Sequence, residues 1–508
     1  MTKKTIGAIA GQIGGLTAIS RIFGFVRDIV FAIFLGAGPA ADAFFVAFKL
    51  PNVFRRLSAE GALTNAFLPQ FANESAKNGR KAALFLAAEV QIFLTLVLAI
   101  LVIVAEIFMP TIIEVLAPGF VATPDRMKAA INLARITMPY LPLISLVALF
   151  VAIANAHDRF AFGAAMPIIL NIALIIGACF VPILAESDSV MRAVPIAIAV
   201  VIAGVLQLFA MHRFLKKIDV VPPLIWPRVS GAGRRMWRKF MPAAFGAAGM
   251  QLNTLVDLIL ASLLPVGAIS WLYFADRVAQ LPLGIVGIAI GTALLPRLSQ
   301  AEANADHKII PTTLAEAITL GAFFILPAVA ALIILDEVII TGLFGYGAFG
   351  DGDAKATAAA LSMYAIGLPA FVLIKILQTA FYASGRPTTV LIISLIMVAL
   401  NIVGSIMLMK LLGHVGLALA TSLAALVASL LMIILLVRDK KLDNSVVKPL
   451  GKQLVATLAM LASLHVALSF VSFDLAAVNL AVLVVTGSGV YLTIAFVLGI
   501  LPKGVFNR

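Results

Sequence analysis

The feature that most constrains this chain is a succession of long apolar stretches, each near the 20 residues that a bilayer core requires of a spanning helix. Roughly 14 of them take up most of the 508 residues, near 6–35, 40–58, 83–109, 130–154, 164–185, 193–212, 240–262, 270–296, 313–335, 357–382, 388–411, 415–437, 451–472 and 477–500. Lipid offers backbone N–H and C=O groups no partner, so each stretch is expected to satisfy its own as a helix. Composition agrees: 62% of the residues are hydrophobic and 12% charged, where a soluble domain carries about 25% charge. Too little polar surface remains to cover a water-soluble globule. Met1-Thr-Lys-Lys before the first stretch resembles a signal peptide, but Arg21, Arg27 and Asp28 interrupt that stretch and no soluble domain follows it. A retained first helix is expected.

The net charge of +13 would suggest nucleic acid in a soluble protein. Here the basic residues sit in alternate short loops, so they report topology and no nucleic-acid partner is expected. One set of loops carries Lys77, Arg80 and Lys81, then Arg213 to Lys239, then Arg438 to Lys452. The other set, at 186–188, 263–269, 336–353 and Asp474, is poor in Lys and Arg. The bias places the first set and both termini in the cytoplasm of a multi-pass membrane protein. Cys179 stands alone inside an apolar run, which excludes an intramolecular disulfide and a thiolate metal site.

Pro222, Pro223, Pro227, Gly231 and Gly233 mark the longest hydrophilic connection as a linker. It divides six spans from the next six, and the two halves repeat. Ala41-Asp42, Leu50-Pro51 and Leu68-Pro69 are echoed by Ala275-Asp276, Leu281-Pro282 and Leu295-Pro296. Pro139 and Asn171-Ile172 are echoed by Pro369 and Asn401-Ile402. The expected organisation is an all-α polytopic membrane protein: an N-lobe over 1–220, a C-lobe over 221–440, and two added helices over 441–508. A parallel repeat of this kind favours two pseudo-symmetric six-helix lobes around a central cavity that opens to either side in turn. The last two helices either pack on the lobes or form a groove for a lipid tail.

Charge within the first two spans needs a reason. Arg21, Arg27, Lys49, Arg55 and Arg56 lie there with Asp28, Asp42 and Glu60. Each charge at mid-bilayer costs about 2.5–3.5 kcal/mol, so even half of them sum to on the order of 10 kcal/mol. That is comparable with the whole stability of a folded protein unless pairing or water offsets it. Asp42, Lys49 and Arg56 recur every seven residues and would share one helical stripe, although Pro51 interrupts it. Glu60 follows Arg56 by four, a pairing distance. Three carboxylates neutralise three of five cations, and the surplus predicts a wet, cationic cavity. An anionic guest suits it, because the planar guanidinium donates two parallel hydrogen bonds to phosphate. The second lobe adds Asp257, Asp276, Arg277 and Lys375. Asp276 and Arg277 point about 100° apart on a helix, so they are not expected to pair. Arg277 then either joins the cavity or bridges to another carboxylate.

The run Ser-Arg-x-x-Gly-x-x-Arg-Asp from Ser20, continuing as Ala-Asp-Ala-Phe-x-x-Ala-Phe-Lys-Leu-Pro-Asn-x-x-Arg-Arg-x-x-Ala-Glu-Gly-Ala from Ala41, resembles the signature of the MurJ (MviN) family. So does Tyr273-Phe-Ala-Asp-Arg277, followed by Leu281-Pro, Gly284, Gly287, Gly291-Thr and Leu295-Pro. The resemblance covers nearly the whole chain. It implies a 14-helix fold of the multidrug/oligosaccharidyl-lipid/polysaccharide exporter superfamily. It also implies export of lipid II, the undecaprenyl-pyrophosphate-linked peptidoglycan precursor, from the inner to the outer leaflet. The family's essential cations fall on Arg21, Arg27, Arg55 and Arg277, which would hold the pyrophosphate, with Lys49 and Arg56 beside them. Asp28, Asp42, Glu60 and Asp276 would balance charge or gate. Gln280 departs from the family pattern, where a glutamate often follows that second-lobe arginine by one turn. Some relatives bind sodium. Asp257, Asn401 and Thr421 match that site, while Ser405 stands where a second carboxylate is expected. No cofactor is implied; the drive would be the membrane potential or sodium. Partners would be lipid II, membrane lipids and the peptidoglycan synthesis machinery.

Three other readings compete. A drug/cation antiporter of the same superfamily needs a carboxylate-rich cavity, against which the arginines argue. Another polyprenyl-linked oligosaccharide flippase shares the same anionic group. A membrane glycosyltransferase needs a carboxylate cluster or general base, and no Asp-x-Asp, His-Glu-x-x-His or phosphate loop with Lys occurs. His157, His212, His307, His414 and His465 are scattered.

Overall fold

The computed structural model describes residues 6–57, 63–184, 190–226, 230–304, 309–442 and 444–502. Among them every regular element is helical. In chain order these are α1 (Ile6–Leu35), α2 (Pro39–Leu57), α3 (Leu63–Ile107), α4 (Met109–Leu116), α5 (Pro124–Thr137), α6 (Tyr140–Ala156), α7 (Phe160–Cys179), α8 (Val181–Leu184) and α9 (Val194–Lys217). There follow α10 (Gly231–Ser262), α11 (Ala268–Ala303), α12 (Ile309–Ile334), α13 (Asp336–Phe344), α14 (Asp351–Ala383), α15 (Pro387–Leu412), α16 (His414–Arg438), α17 (Val447–Leu468) and α18 (Ala476–Val497). Among the described residues ten helical stretches are long and apolar enough to cross a membrane, and they coincide with ten of the expected spans. The other four expected spans are also helical: α1, α2, α10 and α11, of 30, 19, 32 and 36 residues. These four open the two halves of the repeat and carry most of the intramembrane charges, Lys375 on α14 being apart from them.

Local chemistry sets the helix ends. α5 and α15 begin at Pro124 and Pro387, whose missing N–H costs nothing in a first turn. Asp351 and Asp353 open α14, where carboxylates meet the positive end of the helix dipole. Gly79 sits inside α3 at φ 81, ψ 170, a backbone region essentially reserved for glycine. It divides a polar stretch from the apolar span that follows. The break explains why α3 begins at Leu63, well before the span expected from residue 83.

The chain forms two compact units, Met1–Ser270 and Trp271–Arg508, divided inside the first turn of α11. In the first, α1 packs on α7, α2 on α5, and α3 on both α6 and α10. Its core is aromatic: Phe31, Phe44, Phe67, Phe120 and Tyr140 are fully buried, and Phe31 meets Phe44 edge to face at 5.7 Å. In the second, α16 packs on α14 and α15, α12 on α14 and α17, and α17 on α18. Helices in lipid associate by close contact rather than hydrophobic drive, so small residues mark their crossings. A Cβ on Gly177 would stand 2.6 Å from that of Ala199, and one on Gly367 2.5 Å from Ser422 Oγ. Large apolar side chains face outward, among them Ile100, Ile103, Met407, Val485 and Phe496. Water would not tolerate apolar surface on that scale, and lipid does.

The sequence repeat reappears as a structural one. α4, α5 and α7 start at Met109, Pro124 and Phe160, while α13, α14 and α15 start at Asp336, Asp351 and Pro387. The interval is the same for all three pairs. The short helices α4 and α13 occupy segments that hydropathy reads as loops.

Candidate functional site

The α1 arginines lie in contrasting surroundings. Arg27 is buried, with 7% of its side chain exposed, against Asp28 at 1%. Arg27 Nε and Nη2 both donate to Asp28 Oδ1, at 3.0 and 2.6 Å. Arg27 Nη1 donates to Asn171 Oδ1 on α7 at 3.1 Å, and Asn171 Nδ2 donates to the Ser20 carbonyl at 3.1 Å. Gly24 lies against this amide: a Cβ there would stand 3.5 Å from Asn171 Nδ2, in ordinary van der Waals contact. One amide thereby holds both the α1 backbone and the arginine. The guanidinium also lies 5.6 Å from the centre of the Phe31 ring. Neighbouring charges on one helix pair here, which the sequence reading did not foresee for Arg27 and Asp28. Arg27 is long enough to fold its fork back over the next residue. Arg21 is exposed.

On α2, Lys49 and Arg55 are half-buried, and Arg55 Nε donates to Asn52 Oδ1 at 2.9 Å. The helix continues through Pro51 to Leu57. The Arg56 side chain and the whole of Glu60 lie outside the described residues. Asp42 begins the stripe with Lys49 and Arg56, but its ionic partner is on another helix. Arg126 Nη2 of α5 donates to Asp42 Oδ2 at 2.6 Å, with 5% and 0% of the two side chains exposed. Three more donors reach the same carboxylate: Gly267 N at 2.8 Å, Ser270 N at 3.0 Å and Ser270 Oγ at 2.6 Å. The Arg126 guanidinium lies 4.0 Å from the Phe120 ring centre, a cation–π distance. A fully buried carboxylate is sustained here by one charge and three neutral donors.

The second unit repeats this construction with different chemistry. Asp42 is the fourth residue of α2 and Arg126 the third of α5; Trp271 is the fourth of α11 and Asp353 the third of α14. Trp271 Nε1 donates to Asp353 Oδ1 at 2.9 Å. A contact between corresponding helix starts is kept while the charged partners are exchanged. Further along α11, Asp276 accepts a hydrogen bond from Gln280 Nε2 one turn on. Arg277 is half-buried with its guanidinium 5.5 Å from the Tyr273 ring centre.

Of the sodium-type residues, Asn401 and Thr421 are together: Asn401 Nδ2 donates to Thr421 Oγ1 at 2.9 Å. Ser405, one turn beyond Asn401, is buried, and its hydroxyl has no partner among the described residues. Asp257, in the first unit, accepts from Asn253 Nδ2 at 3.3 Å. On α15 and α16 the oxygens offered are neutral, whereas a hard cation binds best where carboxylate supplies charge.

Two residues of the first-unit network escaped the sequence reading. Arg126 lies between spans, and its signal was the Pro124-Asp125 helix start that turns a presumed loop into α5. Asn171 was visible only as part of the repeat; a polar amide in an apolar span was its signal.

Two helical units, each built on membrane-crossing helices, define a polytopic membrane protein. The fold is shared with an inward-facing multidrug resistance MATE family transporter of the MOP superfamily, at TM-score 0.67 and 15% identity over 82% of this chain and 93% of that one. A solved lipid II flippase MurJ in an inward closed conformation matches at TM-score 0.81 and 27% identity, over 96% of this chain and 98% of that one. The family model described as lipid II flippase MurJ matches residues 31–487. A probable lipid II flippase MurJ of Rickettsia prowazekii is 38% identical over 81% of this chain and 80% of its own length. That of Rhizobium meliloti is 34% identical over 96% and 93%. The chain belongs to the MurJ family.

Proposed function

We propose that this chain carries lipid II from the inner to the outer leaflet of the cytoplasmic membrane by alternating access. Its basic loops and both termini face the cytoplasm. In this reading the headgroup's pyrophosphate binds guanidinium groups of α1 and α2, with Arg277 as the cation of the second unit, while the undecaprenyl tail stays in lipid, along α17 and α18. One observation carries the reading. α1 and α2 hold five cations, Arg21, Arg27, Lys49, Arg55 and Arg56, against two carboxylates, and one of these, Asp42, is engaged by Arg126 from outside the pair. A membrane-embedded helix pair with that balance suits an anionic guest. Arg27 is held by Asp28 and Asn171 in the present arrangement, so the exposed Arg21 would meet the phosphates first.

The membrane potential supplies a drive of about 2.3 kcal/mol per charge for each 100 mV. Outside-positive polarity favours outward movement of the anionic headgroup and inward return of the emptied cationic site. Sodium coupling through Asp257, Asn401 and Thr421 is the second reading, supported by the pairing of Asn401 with Thr421. Peptidoglycan synthases that consume the flipped precursor are the partners to expect. The test is depletion of the protein with lipid II followed by leaflet. The proposal requires accumulation on the inner leaflet; unchanged export would remove it.

A further inference from the structure

The connection between α9 and α10 is tied to α3 at both ends. At its start Arg80, next to the Gly79 break, donates through Nη2 to the carbonyl oxygens of Ile218, at 3.1 Å, and Asp219. At its end Glu89 accepts the Ser230 backbone N–H at 2.7 Å and the Ser230 hydroxyl at 2.6 Å. The same hydroxyl caps α10 by accepting from Gly233 N at 3.1 Å. Arg235 adds a bridge to Glu74 at 3.1 Å. Between the clamps, Val220 and Pro222 are buried, and Pro222-Pro223 restricts the backbone. Just beyond them Leu224 is 88% exposed and Trp226 83% exposed. The apolar tip is thus held outward by a fixed base.

The helix ends on either side of the connection carry exposed cations, Arg213 and Lys217 on α9, and Arg234 and Arg238 on α10. Nearby, Trp237 packs on Phe93 of α3 at 4.6 Å. Tryptophan concentrates at the bilayer interface, and Lys or Arg beside it is drawn to anionic headgroups. Water would leave Leu224 and Trp226 solvated for no gain; an anionic leaflet satisfies both the apolar tip and the charges on those helix ends. We propose that residues 220–226, with the cations on α9 and α10, form a docking surface for anionic phospholipid headgroups of the cytoplasmic leaflet. Leu224 and Trp226 enter the headgroup region while Arg213, Lys217, Arg234 and Arg238 meet the phosphates. The surface fixes the depth of the first unit in that leaflet. The choice of leaflet rests on the orientation proposed above.

The test uses the full chain in proteoliposomes, with Cys179→Ala and Leu224→Cys labelled by nitrobenzoxadiazole. In phosphatidylcholine vesicles containing phosphatidylglycerol, the emission should shift to the blue and be quenched roughly twofold by brominated lipid; added salt should reverse the gain, because it screens the cations. Replacing Arg213, Lys217, Arg234 and Arg238 by Ser should abolish the dependence on phosphatidylglycerol. The salt titration on the unsubstituted charges keeps the test valid should that variant fold poorly. Water-like emission in both vesicle types, or equal quenching with and without phosphatidylglycerol, overturns the proposal. A separate Gly231→Cys variant is probed with an impermeant maleimide in inverted and right-side-out vesicles. Labelling from the cytoplasmic face supports the leaflet assignment. Labelling from the outer face overturns it, and is distinguishable from a failure of lipid contact.

Discussion

Replacing Arg126 by Ala is expected to destabilise the first unit severely. Among the described residues Arg126 is the only charged donor to Asp42, a carboxylate with no solvent exposure, and the substitution removes it. Gly267 N, Ser270 N and Ser270 Oγ remain as neutral donors. Breaking a buried ion pair by deleting one member costs about 3–5 kcal/mol, because the other charge is left in low dielectric. The stacking of the guanidinium on Phe120 is lost as well, worth about 1 kcal/mol. For units of this size 1 kcal/mol corresponds to roughly 2–4 °C of melting temperature, so the transition should fall by roughly 8–24 °C. Asp42→Asn should be nearly as damaging, since its amide would present N–H groups to Arg126 or Gly267. The double variant Asp42→Asn, Arg126→Gln removes both charges and should recover part of the loss, a coupling of about 2 kcal/mol or more. Thermal unfolding of the purified protein, followed by size-exclusion of the surviving monomer, reads these shifts. A melting point for Arg126→Ala within 2 °C of the parent, or strict additivity in the cycle, would refute the reasoning.

Three further outcomes follow from separate features. Asn171→Ala should cost about 1.5–3 kcal/mol, the range for a hydrogen bond to a charged group, with reduced complementation in cells; an unchanged melting point would show that Arg27 does not depend on it. Gly79→Ala should lose about 1–3 kcal/mol through backbone strain alone, since a Cβ there meets nothing within 4 Å; a neutral result by thermal unfolding would contradict the positive φ. Gly367→Val should lose about 1–3 kcal/mol or more by overpacking α14 against Ser422 on α16, read as a lower melting point, and wild-type stability would mean the crossing is looser than described.

Hydropathy revealed the helices because lipid imposes a coarse rule: an apolar run of sufficient length satisfies its backbone internally. The periodic prolines and the Ala-Asp echoes revealed the repeat because both halves face the same bilayer. Partners were less legible. Asp42 and Arg126 are 84 residues apart, and Arg27 and Asn171 are 144 apart. A single sequence shows which charges need compensation but not which distant residue supplies it. Helical spacing placed Asp42 beside Lys49 and Arg56, whereas packing of α2 on α5 brought Arg126 closer. α4 and α13 were missed for a related reason. They are too short to span a membrane, and their residues read as loop until the neighbouring helices give them a surface to lie on.

In the proposed mechanism guanidinium groups of the first unit recognise a diphosphate. Purified protein titrated with lipid II and with a neutral analogue lacking the diphosphate tests it most directly. The unsubstituted chain should prefer lipid II by about tenfold to a hundredfold, the equivalent of one or two charge-assisted hydrogen bonds. Arg21→Glu, a change at an exposed position, should erase that preference while leaving the melting point in place. Equal affinity for the two lipids in the unsubstituted protein would contradict the account.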